Sequence, residues 1–96
     1  MKGYVLAEVD VTDPALFEEY RPLAAAAIAA HGGRYLIRGG KVTPLEGTPP
    51  DRRTVLAEFA SPAAALAWYH SPEYRKAKAI RERAATTTMR LIEGAG

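Results

Sequence analysis

The fold of this chain is decided by residues 54–74, TVLAEFASPAAALAWYHSPEY, in which a strand pattern leads through Ser61-Pro62 into a helix pattern. Thr54–Phe59 alternates as a strand does, and Ser61 is a suitable helix cap. Proline fits the first helical turn because no amide hydrogen is needed there. The N-terminal part of the chain repeats this organisation, with strand, proline step and helix at Tyr4–Val9, Asp13-Pro14 and Leu16–Ala30. The doubled pattern predicts a domain of two similar halves.

The remaining elements follow from glycine, proline and β-branched residues. Gly32-Gly33 ends the first helix, and Ser71-Pro72 divides the second helical region into two helices. Lys41–Leu45 is predicted either to prolong the second strand past a bend or to form a short strand of its own. Further strands are predicted at Arg34–Arg38, Arg53–Phe59 and Thr86–Ile92. The order βαββαβ predicts one ferredoxin-like α+β domain over residues 1–96, with an antiparallel four-stranded sheet.

Alternation along the strands sorts their side chains onto two faces. One set is largely apolar, and we expect the helices to cover it: Val5, Ala7, Val9, Tyr35, Ile37, Val55, Ala57, Phe59, Met89 and Leu91. The other set mixes apolar and charged residues: Tyr4, Leu6, Glu8, Arg34, Leu36, Arg38, Thr54, Leu56, Glu58, Thr88, Arg90 and Ile92. Exposed apolar surface of this kind is typical of an interface, which predicts a homodimer through the open sheet face. Glu8 or Glu58 then pairs with Arg38 or Arg90 across the interface, or these charges bind a ligand.

Composition excludes several classes of function. The chain has no cysteine, which excludes disulfides and thiolate chemistry, and its net charge of +2 is too small to indicate nucleic acid as a partner. No apolar run is long enough for a membrane, so we expect a cytoplasmic protein. With two histidines far apart we expect no metal, and we expect no cofactor. The basic cluster on the third helix is predicted to be a solvated face, with Tyr74, Ala77, Ile80 and Ala84 buried: Arg75, Lys76, Lys78, Arg81 and Arg83.

The densest group of aromatic residues provides the candidate site. Trp68, Tyr69 and Tyr74 can form the wall of a pocket for a planar ligand, or they can be core anchors over the sheet. Tyr20 has the same two interpretations. His70, at the junction of two helices, is the candidate general acid or base, with packing at that junction as the alternative.

These residues, taken together, resemble the domain-of-unknown-function family 1330. The resemblance covers nearly the whole chain and rests on the runs Gly3-Tyr4, Val9–Pro14, Glu19-Tyr20, Gly32–Tyr35, Arg38–Gly40, Leu45–Gly47, Glu58-Phe59 and Ala67–Tyr74. It implies membership of the dimeric α+β barrel superfamily. That superfamily contains cofactor-independent oxygenases, muconolactone-type isomerases, stress-response barrel proteins and haem-dependent enzymes. By similarity to the oxygenases, Trp68, Tyr74 and either Arg38 or Arg90 surround a cleft between helices and sheet.

Two functions therefore remain open at this point. One is a cofactor-independent oxygenase or isomerase of a small aromatic or oxo-acid compound, in which Arg38 holds an anionic group, Tyr20 and Trp68 line the pocket, and His70 moves a proton. The other is a non-catalytic dimeric protein that binds a metabolite or acts in stress. The enzyme hypothesis requires an open pocket into which His70 and an arginine both point.

Overall fold

Side-chain caps start all three helices. Asp13 Oδ1 accepts a hydrogen bond from the Leu16 amide, and Ser61 Oγ accepts one from the Ala64 amide, both at 3.1 Å. Ser71 Oγ serves two helices, since it accepts from the Tyr74 amide at 3.1 Å and donates to the Trp68 carbonyl at 2.7 Å. The computed structural model describes residues 1–96 and contains β1 Gly3–Val11, α1 Pro14–Ala30, β2 Arg34–Arg38, β3 Arg53–Phe59, α2 Pro62–Tyr69, α3 Pro72–Ala84 and β4 Ala85–Glu93.

The four strands form one antiparallel sheet in the order β2-β3-β1-β4. β1 and β3 are therefore central, and β2 and β4 are the edges. The three helices lie on one face, and the core between them and the sheet includes Val5, Ile28, Phe59 and Trp68. The predicted ferredoxin-like fold is confirmed, including the division of the second helical region.

A bulge in β2 overturns one part of the predicted sheet pattern. The pairing with β3 shifts between Tyr35 and Ile37, so that Ile37 lies opposite Leu56 and Arg38 lies opposite Val55. Residues directly opposite in an antiparallel pair project from the same face. Ile37 therefore belongs to the open face, where it is 43% exposed, and Arg38 belongs to the face covered by helices. The prediction had the two exchanged because it assumed regular alternation, which one extra residue reverses.

The prediction of strand structure at Lys41–Leu45 is wrong. These residues lie in an exposed loop between β2 and β3 without regular structure. Gly39 adopts a φ of 74°, which glycine allows at little cost, and the chain leaves the sheet there.

On the open face the acidic residues differ in their partners. Glu58 accepts hydrogen bonds from Lys2 Nζ at 3.1 Å and Arg34 Nε at 3.0 Å, both within the same chain. Glu8 and Arg90 form no ion pair within the chain. The bulge moves Arg38 to the other face, so the predicted pairing of Arg38 with Glu8 or Glu58 across the open face is wrong. Glu8 and Arg90 remain predicted interface charges.

Candidate functional site

A cavity lies between the helices and the covered face of the sheet. Its floor is made of cross-strand rows, one of which joins Arg38, Val55, Ala7 and Met89, while the next joins Arg53, Val9 and Thr87. The central strands contribute Ala7 and Ala57 to this floor, and both are buried. Small side chains at these two positions leave more space than larger core residues would.

The roof of the cavity comes from all three helices: Phe17, Tyr20, Arg21 and Ile28 from α1, Trp68 from α2 and Arg81 from α3. The cavity has a volume of about 50 Å³, taken as the space that the centre of a water molecule can occupy. That is enough for a few waters or a small organic acid. Larger ligands require the long side chains of the lining to move.

The cavity is basic. Arg21, Arg38, Arg53 and Arg81 line it, and no lining residue is a carboxylate, histidine, lysine or cysteine. The Arg38 guanidinium lies 4.5 Å from the centre of the Tyr35 ring, and Arg53 Nη2 donates to the Arg38 carbonyl at 3.4 Å.

The prediction that the basic residues of α3 form a solvated face is wrong for Arg81. It is 8% exposed and shares the buried stripe with Tyr74, Ala77 and Ala84, while Ile80 is only partly buried. The spacing from Tyr74 to Arg81 is seven residues, the same helical face. That spacing was the available signal for Arg81, but an arginine on a short basic helix is usually solvated, and the prediction followed its charge.

Arg81 begins a chain of hydrogen bonds that ends at the cavity. Its Nη1 donates to Tyr74 Oη at 2.9 Å, and Tyr74 Oη lies 2.9 Å from Tyr20 Oη. Tyr74 is fully buried, and Tyr20 Oη is the acceptor within reach of its proton. We therefore assign Tyr74 as donor to Tyr20, because buried hydroxyls satisfy their protons. The proton of Tyr20, which lines the cavity, is then left for a ligand.

Both tyrosines in this series of hydrogen bonds are neutral, and burial favours the neutral form. It raises the pKa of Tyr20 far above its usual range, with the neighbouring Tyr74 adding to the shift. Burial likewise raises the pKa of Tyr74, although the positive charge of Arg81 opposes this. At neutral pH both hydroxyls are donors, and a donor chain that starts at a cation is polarised toward its end.

The buried polar atoms without a partner identify this cavity as the chemically unsatisfied part of the molecule. There are four of them, Arg53 Nε, Trp68 Nε1, Arg81 Nε and Thr87 Oγ1, and all four residues line the cavity. An unsatisfied buried donor costs about 1–3 kcal/mol. Three of the four can only donate, so the missing partner is an acceptor.

The structure brings together some of the predicted site residues and separates others. Tyr20, Arg38 and Trp68 line the cavity, Tyr74 lies directly behind Tyr20, and Tyr69 lines a neighbouring groove instead. His70 is exposed beyond the end of α2 and is not part of the cavity lining. Its ring packs against Tyr69 at 5.3 Å between centroids. The condition that His70 and an arginine both point into the pocket is therefore not met.

Arg53 and Thr87 are lining residues that the sequence analysis missed. Alternation was the available signal, since Arg53 lies two residues before Val55 and Thr87 two residues before Met89. Their register opposite Val9 places them on the covered face.

No group of three or more histidine, cysteine, aspartate or glutamate residues is placed to hold a metal ion. None of the helices has the length and apolar character that crossing a bilayer requires.

Comparison with solved structures places the chain among small α+β proteins. It is similar to RPA0582, a protein of unknown function from Rhodopseudomonas palustris, with a TM-score of 0.77 and 19% identity over 99% of this chain and 83% of that one. It is similar to SnoaB, a cofactor-independent oxygenase from Streptomyces nogalater, with a TM-score of 0.67 and 16% identity over 99% and 94%. It is also similar to Rv0793 from Mycobacterium tuberculosis, with a TM-score of 0.58 and 17% identity over 100% and 97%. At these identities the likeness establishes the fold.

A comparison with curated proteins found no match. The model of the family described as domain of unknown function DUF1330 matches residues 2–95, which is nearly the whole chain. The resemblance expected from the sequence is thereby confirmed, and the chain belongs to the DUF1330 family.

Proposed function

We propose that this protein binds a small organic anion, an oxo acid or an acidic phenol, in the cavity between helices and sheet. One observation carries the proposal: every buried side-chain nitrogen or oxygen without a partner belongs to a residue of this cavity, and none of the cavity's charged residues is acidic. An oxyanion is the ligand that supplies acceptors and negative charge together.

The geometry favours Arg81, rather than Arg38, as the residue that holds the anion. Arg38 is exposed, so water competes for its guanidinium, whereas Arg81 is buried with Nε unpartnered. Trp68 Nε1 and the Tyr20 hydroxyl are further donors for the same ligand. Interactions of this kind stabilise an enolate or phenolate that forms when the ligand binds.

The reaction we propose is a cofactor-independent oxygenation. An isomerase must remove and return a proton, and the lining offers no carboxylate or imidazole for that purpose. An oxygenase needs O₂ as oxidant and a substrate that ionises on binding and gives its proton to water, so no protein base has to hold that proton and return it to carbon. A CH₂ group beside the stabilised anion then becomes a carbonyl, and the second oxygen atom leaves as water. The fold shared with SnoaB supports this choice by analogy.

A non-catalytic binding protein is the second candidate. It is favoured by the absence of a carboxylate or imidazole base from the cavity lining. The two candidates differ in oxygen consumption. With a ligand that binds, an oxygenase takes up one O₂ per molecule converted, as an oxygen electrode measures. A binding protein takes up none and returns the ligand unchanged.

Binding is tested with the fluorescence of Trp68, which is the only tryptophan of the chain and lines the cavity. We expect small oxo acids and phenols to change this fluorescence with saturation, and neutral alcohols of the same size to bind at least tenfold more weakly.

In Ala57→Val the added methyl groups occupy the cavity, so the affinity falls about tenfold while folding is retained. Thr54→Val, on the open face, is the matched control. If no acid binds, the proposal is wrong.

We also propose that two copies associate through the open face. Ile37 and Ile92 are 43% and 44% exposed on the sheet. Leu6, Leu56 and Ile37 lie side by side in register, and Ile92 is two residues beyond the partner of Leu6 on β4. A charge introduced by Leu56→Glu should convert the dimer into a monomer in sedimentation, whereas Ala63→Glu on α2 should not. A wild-type monomer at micromolar concentration contradicts the proposal. The cytoplasmic location stays a prediction.

A further inference from the structure

A second opening adjoins the cavity at the edge of the sheet. This groove runs between α2 and β4 and contains about 160 Å³ open to the centre of a water molecule. Its lining is apolar apart from one arginine: Val5, Ala65, Leu66, Trp68, Tyr69, Met89, Arg90 and Leu91. Because β4 is an edge strand, no further strand closes the groove on that side.

The cavity and the groove share three wall residues, Val5, Trp68 and Met89. Val5 is short and fixed in the centre of the core. Trp68 is 2% exposed, its ring lies 4.2 Å from that of Tyr74 and 5.3 Å from that of Phe59, and Ser71 holds its carbonyl. Neither residue has room to move.

Met89 is the movable part of this wall. It is partly exposed on the edge strand, and its closest polar contact is a loose one, 4.0 Å from Sδ to Arg81 Nη1. An unbranched side chain with three rotatable bonds changes rotamer at little cost. Met89 is therefore the wall residue that can move between the two spaces.

We propose that the ligand is an amphiphilic carboxylate whose head binds Arg81 and whose narrow apolar tail passes Met89 into the groove under α2. This inference rests on the proposed function, since the head is the anion already assigned to the cavity. It extends that function by naming the substrate class. The tail is apolar because only Arg90, at an exposed position, interrupts the apolar lining of the groove. Met89 is then the residue that determines the accepted chain length.

Isothermal titration with straight-chain carboxylates of three to ten carbons tests the proposal. Once the chain passes Met89, we expect the affinity to rise about fourfold for each added methylene, the value for burying a CH₂ group. Leu66→Glu places a charge in the groove but outside the cavity, so it should remove this rise and leave the shortest acids unaffected. Ala63→Glu adds the same charge to an exposed position of α2 outside the groove lining and should retain the rise.

Met89→Ala provides a second measurement by stopped-flow fluorescence of Trp68. Without the partition, long acids should associate several times faster than with wild type, and this gain should shrink as the acid chain becomes shorter. Affinity that is independent of chain length, or a rise that survives Leu66→Glu, overturns the proposal while the function of the cavity stands. If even the short acids fail to bind, the proposed function fails first and this inference fails with it.

Discussion

The two faces of the sheet differ in how their charged side chains are paired. On the open face the carboxylate of Glu58 receives hydrogen bonds from Lys2 and Arg34, so charges of opposite sign meet within the chain. On the covered face four arginines line one cavity that no carboxylate lines, although Arg21 pairs with Glu18. The unpartnered buried side-chain atoms lie on residues of that cavity, among them Arg81, the one buried arginine. Because a buried charged group without a full set of partners is costly, Arg81 points to a partner from outside the chain.

The largest effect in this comparison is expected from Arg81→Met. A hydrogen bond to a charged group is worth about 1.5–3 kcal/mol, so carboxylate affinity should fall roughly ten- to hundredfold in fluorescence titration. The same change removes a buried charge that has no carboxylate partner, and thermal stability should stay equal or rise. Loss of affinity without loss of stability is the combined result that supports a binding role.

Arg34→Met is the matched variant on the open face. It removes an arginine whose partner is Glu58, so it should lower stability slightly and leave carboxylate affinity within twofold of wild type. Equal effects of the two variants on binding would show that general positive charge, rather than the cavity, attracts the ligand.

A smaller effect is expected from Tyr20→Phe, which ends the hydrogen-bond chain one residue early. Tyr74 loses its acceptor, and we expect the free energy of unfolding to fall by about 1 kcal/mol in urea. Ligand affinity should fall several-fold, because the cavity loses the Tyr20 donor. Tyr4→Phe makes the same change on the open face and should alter neither quantity measurably. A ligand affinity unchanged in Tyr20→Phe would mean that the chain serves packing alone.

Local chemistry explains how much of the fold could be predicted. Caps such as Asp13 and Ser71, the prolines after them and the alternation along β1 and β3 act within a few residues, so the element order followed from the sequence. The bulge in β2 could not be predicted, because it depends on how that strand pairs with β3. Its consequence was large, since it exchanged Ile37 and Arg38 between the faces.

The site was less predictable than the fold for a related reason. Trp68 and Tyr20 were predicted either to line a pocket or to anchor the core, because large aromatic side chains are common in both places. Arg81 was assigned to solvent and His70 to catalysis on the basis of what those residue types usually do. Neither assignment agrees with the observed burial, since Arg81 is buried and His70 is exposed. Burial depends on contacts with α1 and the sheet that are distant in sequence.

The smallest effect concerns Glu58 and depends on pH. Hydrogen bonds from Lys2 and then Arg34 lower the pKa of Glu58 below its ordinary value of 4.5. A carboxyl whose pKa is lower in the folded state stabilises the fold above the ordinary pKa, and this contribution is lost as pH falls through the folded value. Glu58→Gln should therefore unfold at a lower temperature than wild type at pH 7, and the two midpoints should converge below pH 4.5.

Lys2→Met should follow the same pH dependence, because it acts on the same carboxylate. A difference that persists undiminished at pH 3 would mean that Glu58 stabilises the open face by packing, and the contrast in charge between the two faces would lose its electrostatic basis.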